Sequence, residues 1–157
     1  LLPHIREQHH RVRFHIVGRS PGPKVLELAG EAVSVSGTVP DVRPYLQHAA
    51  AVVAPLRLAR GIQNKVLEAM AMGRPVVAAR ACAEAIDAEV GRDLLAASTA
   101  DEFVSAVCRL LEDTRFASEV GAAGRRCVRD GYAWAARLRV LDRHISPTPA
   151  EALVATS

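Results

Sequence analysis

Aromatic residues make up only 4% of this 157-residue chain, which leaves it without the stacking platforms that hold single-stranded nucleic acid. Lysine is almost missing. Of 20 basic side chains, Lys24 and Lys65 alone are lysines, and the rest are arginine. The net charge of +3 suits anionic ligands but is too small and scattered to mark a nucleic-acid surface. Cysteine is sparse and odd in number (Cys82, Cys108, Cys127), with wide spacing and no CxxC. That argues against a disulfide framework or a zinc site and for a reduced, cytosolic compartment. No apolar run reaches the roughly 18 residues of a membrane span, and no signal peptide heads the chain. Peripheral membrane association through a region outside the chain is left open. There is no internal repeat, no low-complexity segment and no initiator methionine. Leu1 to His10 reads as the end of a helix, so a fragment of a larger protein is expected.

What is present is ordinary globular material, 50% apolar and 24% charged, long enough for one domain with its own core. Residues 11–18 (RVRFHIVG) read as a strand, with Val12, Phe14 and Ile16 alternating. A turn at Ser20 to Pro23 leads into a short helix over 24–29, and Val33 to Ser36 forms a strand ending at Gly37. Asp41 is placed to cap a helix over 42–48. A short apolar strand over 51–54 closes at Pro55. Later, an irregular stretch over 82–91 precedes a strand near 94–96. Thr99-Ala-Asp-Glu102 is a capping box heading a helix with Phe103, Val104, Val107, Cys108, Leu110 and Leu111 on its apolar face. Helices over 115–129 and 133–145 follow, and residues 146–157 read as a flexible tail. Short strands alternating with helices predict an α/β fold, a Rossmann-like, doubly wound parallel sheet covered on both faces.

The densest signal runs from Arg60 to Val77. It reads as a helix opening on Gly61 and stopping at Gly73, followed at once by a buried strand, Pro75 to Ala79. Gly61, Asn64, Lys65 and Glu68 stand three, four and seven residues apart, which places them on one helical face. Val66, Leu67 and Met70 occupy the other. Unpaired N–H groups and the positive dipole end of the first turn suit a phosphate, and Lys65 adds charge beside them. Glu68, an acceptor when ionised, suits a pair of sugar hydroxyls. Spacing alone leaves a second reading open, in which Lys65 and Glu68 form a solvated i,i+3 ion pair.

The segment Asn64-Lys-Val-Leu-Glu-Ala-Met-Ala-Met-Gly-Arg-Pro-Val-Val77 closely resembles the signature of the glycosyltransferase group 1 family (family 4, GT-B fold). Phe14-His-Ile-Val-Gly18, Gly37-Thr-Val-Pro-Asp41 and Ala49 to Pro55 resemble flanking parts of its carboxyl-terminal domain, so the likeness covers residues 11–145. The resemblance implies one half of a GT-B fold, lacking its first strand, with residues 1–145 as the donor-binding domain. It implies a retaining, metal-independent transfer from a nucleotide-diphosphate sugar to a saccharide or lipid-linked acceptor, with no cofactor. The acceptor would be held by an amino-terminal domain absent from the chain, and the isolated domain is expected to be inactive. A cytoplasmic site at the inner face of the membrane fits polysaccharide or glycolipid assembly.

By position, the resemblance assigns the ribose hydroxyls to Glu68 and the diphosphate to the amides after Gly61, at Ile62, Gln63 and Asn64. Leu67 also falls in the donor-binding set. Gly37 and Val39 would lie near the base, and Gly18 and Arg19 near the phosphates. Arg60, Lys65 and Arg19 are the candidates to stabilise the departing diphosphate. Arg60 stands where the family often carries a glutamate touching the donor sugar. That departure supports an alternative, a nucleotide-binding or interaction module without transfer activity.

Other signals carry less. Gly18-Arg-Ser-Pro-Gly22 matches the G-x-S-x-G nucleophile elbow, but the residue after the serine must donate an N–H and is Pro21. The dinucleotide fingerprint G-x-G-x-x-G is absent. Glu7, His9 and His10 read as exposed terminal side chains rather than metal ligands. Glu84 reads equally as a solvated carboxylate or as a group near the donor sugar. Trp134 fits a core anchor on a helix that, in the family, ties the two domains together.

Overall fold

The structure, a computed structural model, describes residues 1–56 and 61–132. Arg60, Trp134, the helix expected over 133–145 and the tail lie outside the described residues. Helix α1 (Leu2–Gln8) leads to strand β1 (Phe14–Val17), helix α2 (Pro23–Leu26) and strand β2 (Val33–Ser36). Helix α3 (Arg43–His48), strand β3 (Val52–Ala54), helix α4 (Asn64–Ala71) and strand β4 (Val76–Ala79) follow. The chain continues through α5 (Arg80–Ala83), β5 (Leu95–Ala97), α6 (Ala100–Glu112) and α7 (Thr114–Gly131).

The α/β class expected from the alternation is the class observed, and every paired strand is parallel. The strands form two ladders, β1-β2 and β3-β4-β5. The second is the structural centre. Its middle strand, β4, is apolar along its length because helices cover both faces. Val76 and Ala78 pack with Val66, Ala69 and Met70 of α4 and with Cys82, Ala83 and Ile86. Val77 faces the other way, against Leu95, Ala97, Ile5 of α1 and Phe103, Val107 and Leu110 of α6. Burying a side chain the size of Val, Leu or Met contributes about 1.5–3 kcal/mol, so these two layers carry most of the stability. The first ladder is thinly covered. From Arg6 to Val53 no residue is buried, and Phe14, Ile16, Val33 and Val35 are only half-buried.

Helix α4 stops as the sequence predicts. Gly73 takes a φ of 69°, its N–H donates to Met70 O, and Arg74 N–H donates to Ala69 O. This paired closure satisfies two terminal carbonyls and needs a residue tolerant of the left-handed region. Its start differs from expectation. The helix opens at Asn64 after an extended Gln63, and Gly61, with φ 74°, belongs to the preceding turn. A residue in the left-handed region cannot continue a right-handed helix, so Gly61 lies in the loop ahead of the helix rather than beginning it.

Smaller adjustments have similar causes. The stretch expected to be irregular after β4 contains the single turn α5, which seats Cys82 and Ala83 in the core. Asp41 sits one residue ahead of the helix boundary, and its Oδ1 accepts the Arg43 N–H at 2.9 Å. The capping box is present with a shift: Thr99 Oγ1 accepts from Glu102 N–H at 3.2 Å, while Glu102 Oε2 accepts from Ser98 N–H at 2.6 Å. All three cysteines are free thiols.

Candidate functional site

Parallel strands place their carboxyl ends on one edge, where the connecting turns present backbone and polar side chains. Most of the sequence-predicted site residues fall in such turns. Gly18 and Arg19 follow β1, and Gly37 follows β2. The ladder brings these two turns side by side: Val17 is in register with Ser36, and Gly18 N–H donates to Ser36 O at 3.4 Å. Among the described residues the space above Gly18 and Gly37 is open, since a Cβ at either would meet none of their atoms within 4 Å. Ser20 then turns the chain with a φ of 49°, leaving Arg19 exposed. Val39 is half-buried.

The second group follows β3. Gly61 and Ile62 are exposed, and the Gln63 side-chain amide donates to Gly61 O at 3.3 Å, tightening the approach to α4. Val66 and Leu67 N–H groups both donate to Gln63 O, and among the described residues the amides of Asn64 and Lys65 in the first turn have no acceptor. Asn64, Lys65 and Glu68 are exposed, while Val66, Ala69 and Met70 face the core. Leu67 packs against that core. The predicted division of the helix into a polar and an apolar face is therefore observed, Leu67 included.

The alternative reading of Lys65 and Glu68 as an ion pair is not realised. Among the described residues, neither side chain has a hydrogen-bond or ion-pair partner. Lys65 does act electrostatically on Cys82. Burial pushes that thiol's pKa up, and the Lys65 ammonium opposes the rise. Two unattached, oppositely charged side chains one turn apart leave their hydrogen-bonding capacity to a ligand.

Two cavities lie elsewhere, at the amino ends of strands. One of about 390 Å³ is lined by Arg92, Asp93, Arg126 and Cys127, and one of about 310 Å³ by Arg74, Leu110, Thr114 and Ser118. Among the described residues no three His, Cys, Asp or Glu side chains converge as a metal site would require. His9, considered with Glu7 and His10, instead places Nε2 3.5 Å from the Glu112 carboxylate, beside α6. Glu84 is exposed at the end of α5.

Sequence reasoning missed Arg80. Its Nε donates to Ser98 Oγ at 3.0 Å, across the carboxyl ends of β4 and β5. The run Val-Val-Ala-Ala-Arg80 held the only signal, an arginine at the point where a buried strand leaves the sheet.

The family model for group 1 glycosyl transferases matches residues 1–113, and the chain belongs to that family. No curated protein matches it by sequence. Among solved structures it is similar to sucrose-phosphate synthase from Thermosynechococcus elongatus, with 24% identity and a TM-score of 0.74. That similarity covers 91% of this chain and 41% of the other. It is also similar to a variant of S. aureus TarM in complex with fondaparinux, alpha-GlcNAc-glycerol and UDP, with 19% identity and a TM-score of 0.75. Here 92% of this chain and 31% of TarM are covered. Anabaena HepE, in complex with UDP and glucose, matches with 15% identity and a TM-score of 0.66, over 92% of this chain and 53% of that one. The fold is thus the Rossmann-like half of a GT-B architecture, and the chain spans between 31% and 53% of the length of these structures. No helix among the described residues is long and apolar enough to cross a membrane.

Proposed function

We propose that this chain is the donor-binding half of a glycosyltransferase that moves a sugar from a nucleoside diphosphate to a saccharide or lipid-linked acceptor. The observation that carries the reading is α4: a family signature helix whose Asn64, Lys65 and Glu68 are exposed at the carboxyl edge, with Lys65 and Glu68 unpaired among the described residues. Glu68 accepts from the ribose hydroxyls. The free amides of Asn64 and Lys65, with the Lys65 ammonium, face the diphosphate. Donors already aimed at the leaving group need no reorganisation as its charge develops, which is how a metal-independent transfer lowers its barrier. Arg19 and, by its place in the sequence, Arg60 are the further positive groups we assign to the diphosphate. Retention of configuration, an acceptor bound by a separate amino-terminal domain, and action at the cytoplasmic face of a membrane complete the proposal.

The bound UDP in the TarM and HepE structures supports UDP as the first probe. Calorimetric titration of the chain with UDP, GDP and ADP should show selective binding of one. Glu68→Ala should then weaken it about tenfold, the effect of losing hydrogen bonds to a charged group. Binding that Glu68→Ala leaves untouched would remove the ribose assignment. A second reading, a nucleotide-binding module without transfer activity, rests on Arg60 replacing the frequent glutamate. It predicts nucleotide binding with no sugar release or transfer, even when the chain is joined to an acceptor-binding domain.

A further inference from the structure

We propose that Arg80, clamped by Ser98 where β4 and β5 leave the sheet, is an additional anion-binding residue of the donor site, taking a pair of oxygens beyond the ribose. The inference rests on the donor reading above and extends it to a part of the edge that the signature helix does not reach.

Three observations converge on Arg80. First, β4 and β5 end together: Ala79 is in register with Ala97, so Arg80 and Ser98 emerge side by side and bond at 3.0 Å. Second, the clamp is itself fixed. Ser98 N–H donates to Glu102 Oε2 at 2.6 Å, so the cap of α6 holds the residue that holds the arginine. Arg80 also stands four residues before Glu84, the spacing of a helical ion pair, yet its only bonded partner among the described residues is Ser98. Third, Arg80 opens α5, whose Cys82 lies in the same core cluster as Val66 and Ala69 of α4 and feels the charge of Lys65. Arg80 and Lys65 are thus carried by α5 and α4, two elements that pack into one core cluster with β4.

With Nε occupied, the two terminal nitrogens of the guanidinium keep their N–H groups for a ligand. A planar fork of this kind matches two oxygens of one phosphate or one carboxylate. On a donor beyond its ribose, those oxygens come from the diphosphate or from an acidic sugar. Because the fork is held before the ligand arrives, less side-chain freedom is lost on binding.

The test is a calorimetric titration of the 157-residue chain and its Arg80→Ala, Arg80→Lys and Glu68→Ala variants with uridine, UDP, UDP-glucose and UDP-glucuronic acid. If the oxygens are those of the diphosphate, Arg80→Ala weakens UDP and both sugar nucleotides about tenfold and leaves uridine unchanged. If they belong to an acidic sugar, only UDP-glucuronic acid is weakened. Arg80→Lys should restore part of the loss, because the charge returns without the fork. Equal affinity of wild type and Arg80→Ala for all four ligands overturns the inference while a Glu68→Ala defect keeps the donor reading intact. A folded wild-type chain that binds none of the four overturns both.

Discussion

Lys65 is one of two lysines in an arginine-rich chain, and it stands in the first turn of α4 with no bonded partner among the described residues. On the donor-site reading proposed above, a compact ammonium there would act on a diphosphate and have nothing to offer a nucleoside. Lys65→Ala should therefore weaken UDP severalfold and leave uridine unchanged in calorimetry; equal losses for both would deny it a phosphate role. Asp93 makes a different point at the same scale. It is 4% exposed, and its burial alone would raise its pKa. The bonds from Arg92 and from Glu89 N–H, with the charges of Arg92 and Arg126, outweigh that and hold the carboxyl below its ordinary range. A carboxylate depressed in the folded state gives stability that is present above its unfolded pKa, about 4, and lost as pH falls through the folded value. Asp93→Asn should lower the melting temperature at neutral pH, and its gap from wild type should close on acidification below about pH 4. A gap of constant size across that range would show that the charge of Asp93 contributes nothing.

Between elements, the tightest fit is α4 against α7. A Cβ built on Gly121 would lie 2.2 Å from Gly73 O, and one on Gly124 would lie 2.6 Å from Asp93 O. Both obstacles are backbone atoms, so neither can swing aside. The glycine that ends α4 and Gly121 in the middle of α7 are thus two halves of one contact, while Gly124 makes room for the backbone at Asp93. Gly121→Ala should cost at least about 1–3 kcal/mol in urea unfolding, the range for forcing atoms into a filled space. Gly131→Ala, in the last turn of the same helix, meets no described atom within 4 Å and should be close to neutral. Equal stability of the two variants would mean that the α4–α7 contact yields at little cost. The sequence showed Gly73 as a helix stop, because termination is local. Nothing local marked Gly121, since a glycine inside a helix is explained only by what presses on it from outside.

Across the whole molecule, stability is unevenly spread. Strand β4 is buried on both faces, while no residue from Arg6 to Val53 is buried. Amides of β1 and β2 should exchange with solvent at least about tenfold faster than those of β4, since thinly covered segments open at low cost. Uniform protection over both ladders would contradict this. The consequence for function is that the two turns offered by Gly18 and Gly37 rest on the less protected part, and the α4 shelf on the rigid part.

The sequence by itself determined the family, the α/β alternation, the stop of α4 at Gly73 and the division of α4 into a core face and a polar face. Each of these is written in local spacing: a period of residues, a glycine, a cap. Tertiary structure alone decided that the strands form two ladders, that Lys65 and Glu68 stay unpaired, and that Arg80 meets Ser98. It also moved the start of α4 from Gly61 to Asn64, through a left-handed glycine that the helical spacing had absorbed. Those outcomes depend on groups far apart in the chain, such as Arg80 and Ser98 across 18 residues, and on which competing partner a charged side chain takes. Residue spacing fixes what can be adjacent along one element, and only packing decides which elements, and which side chains, finally meet.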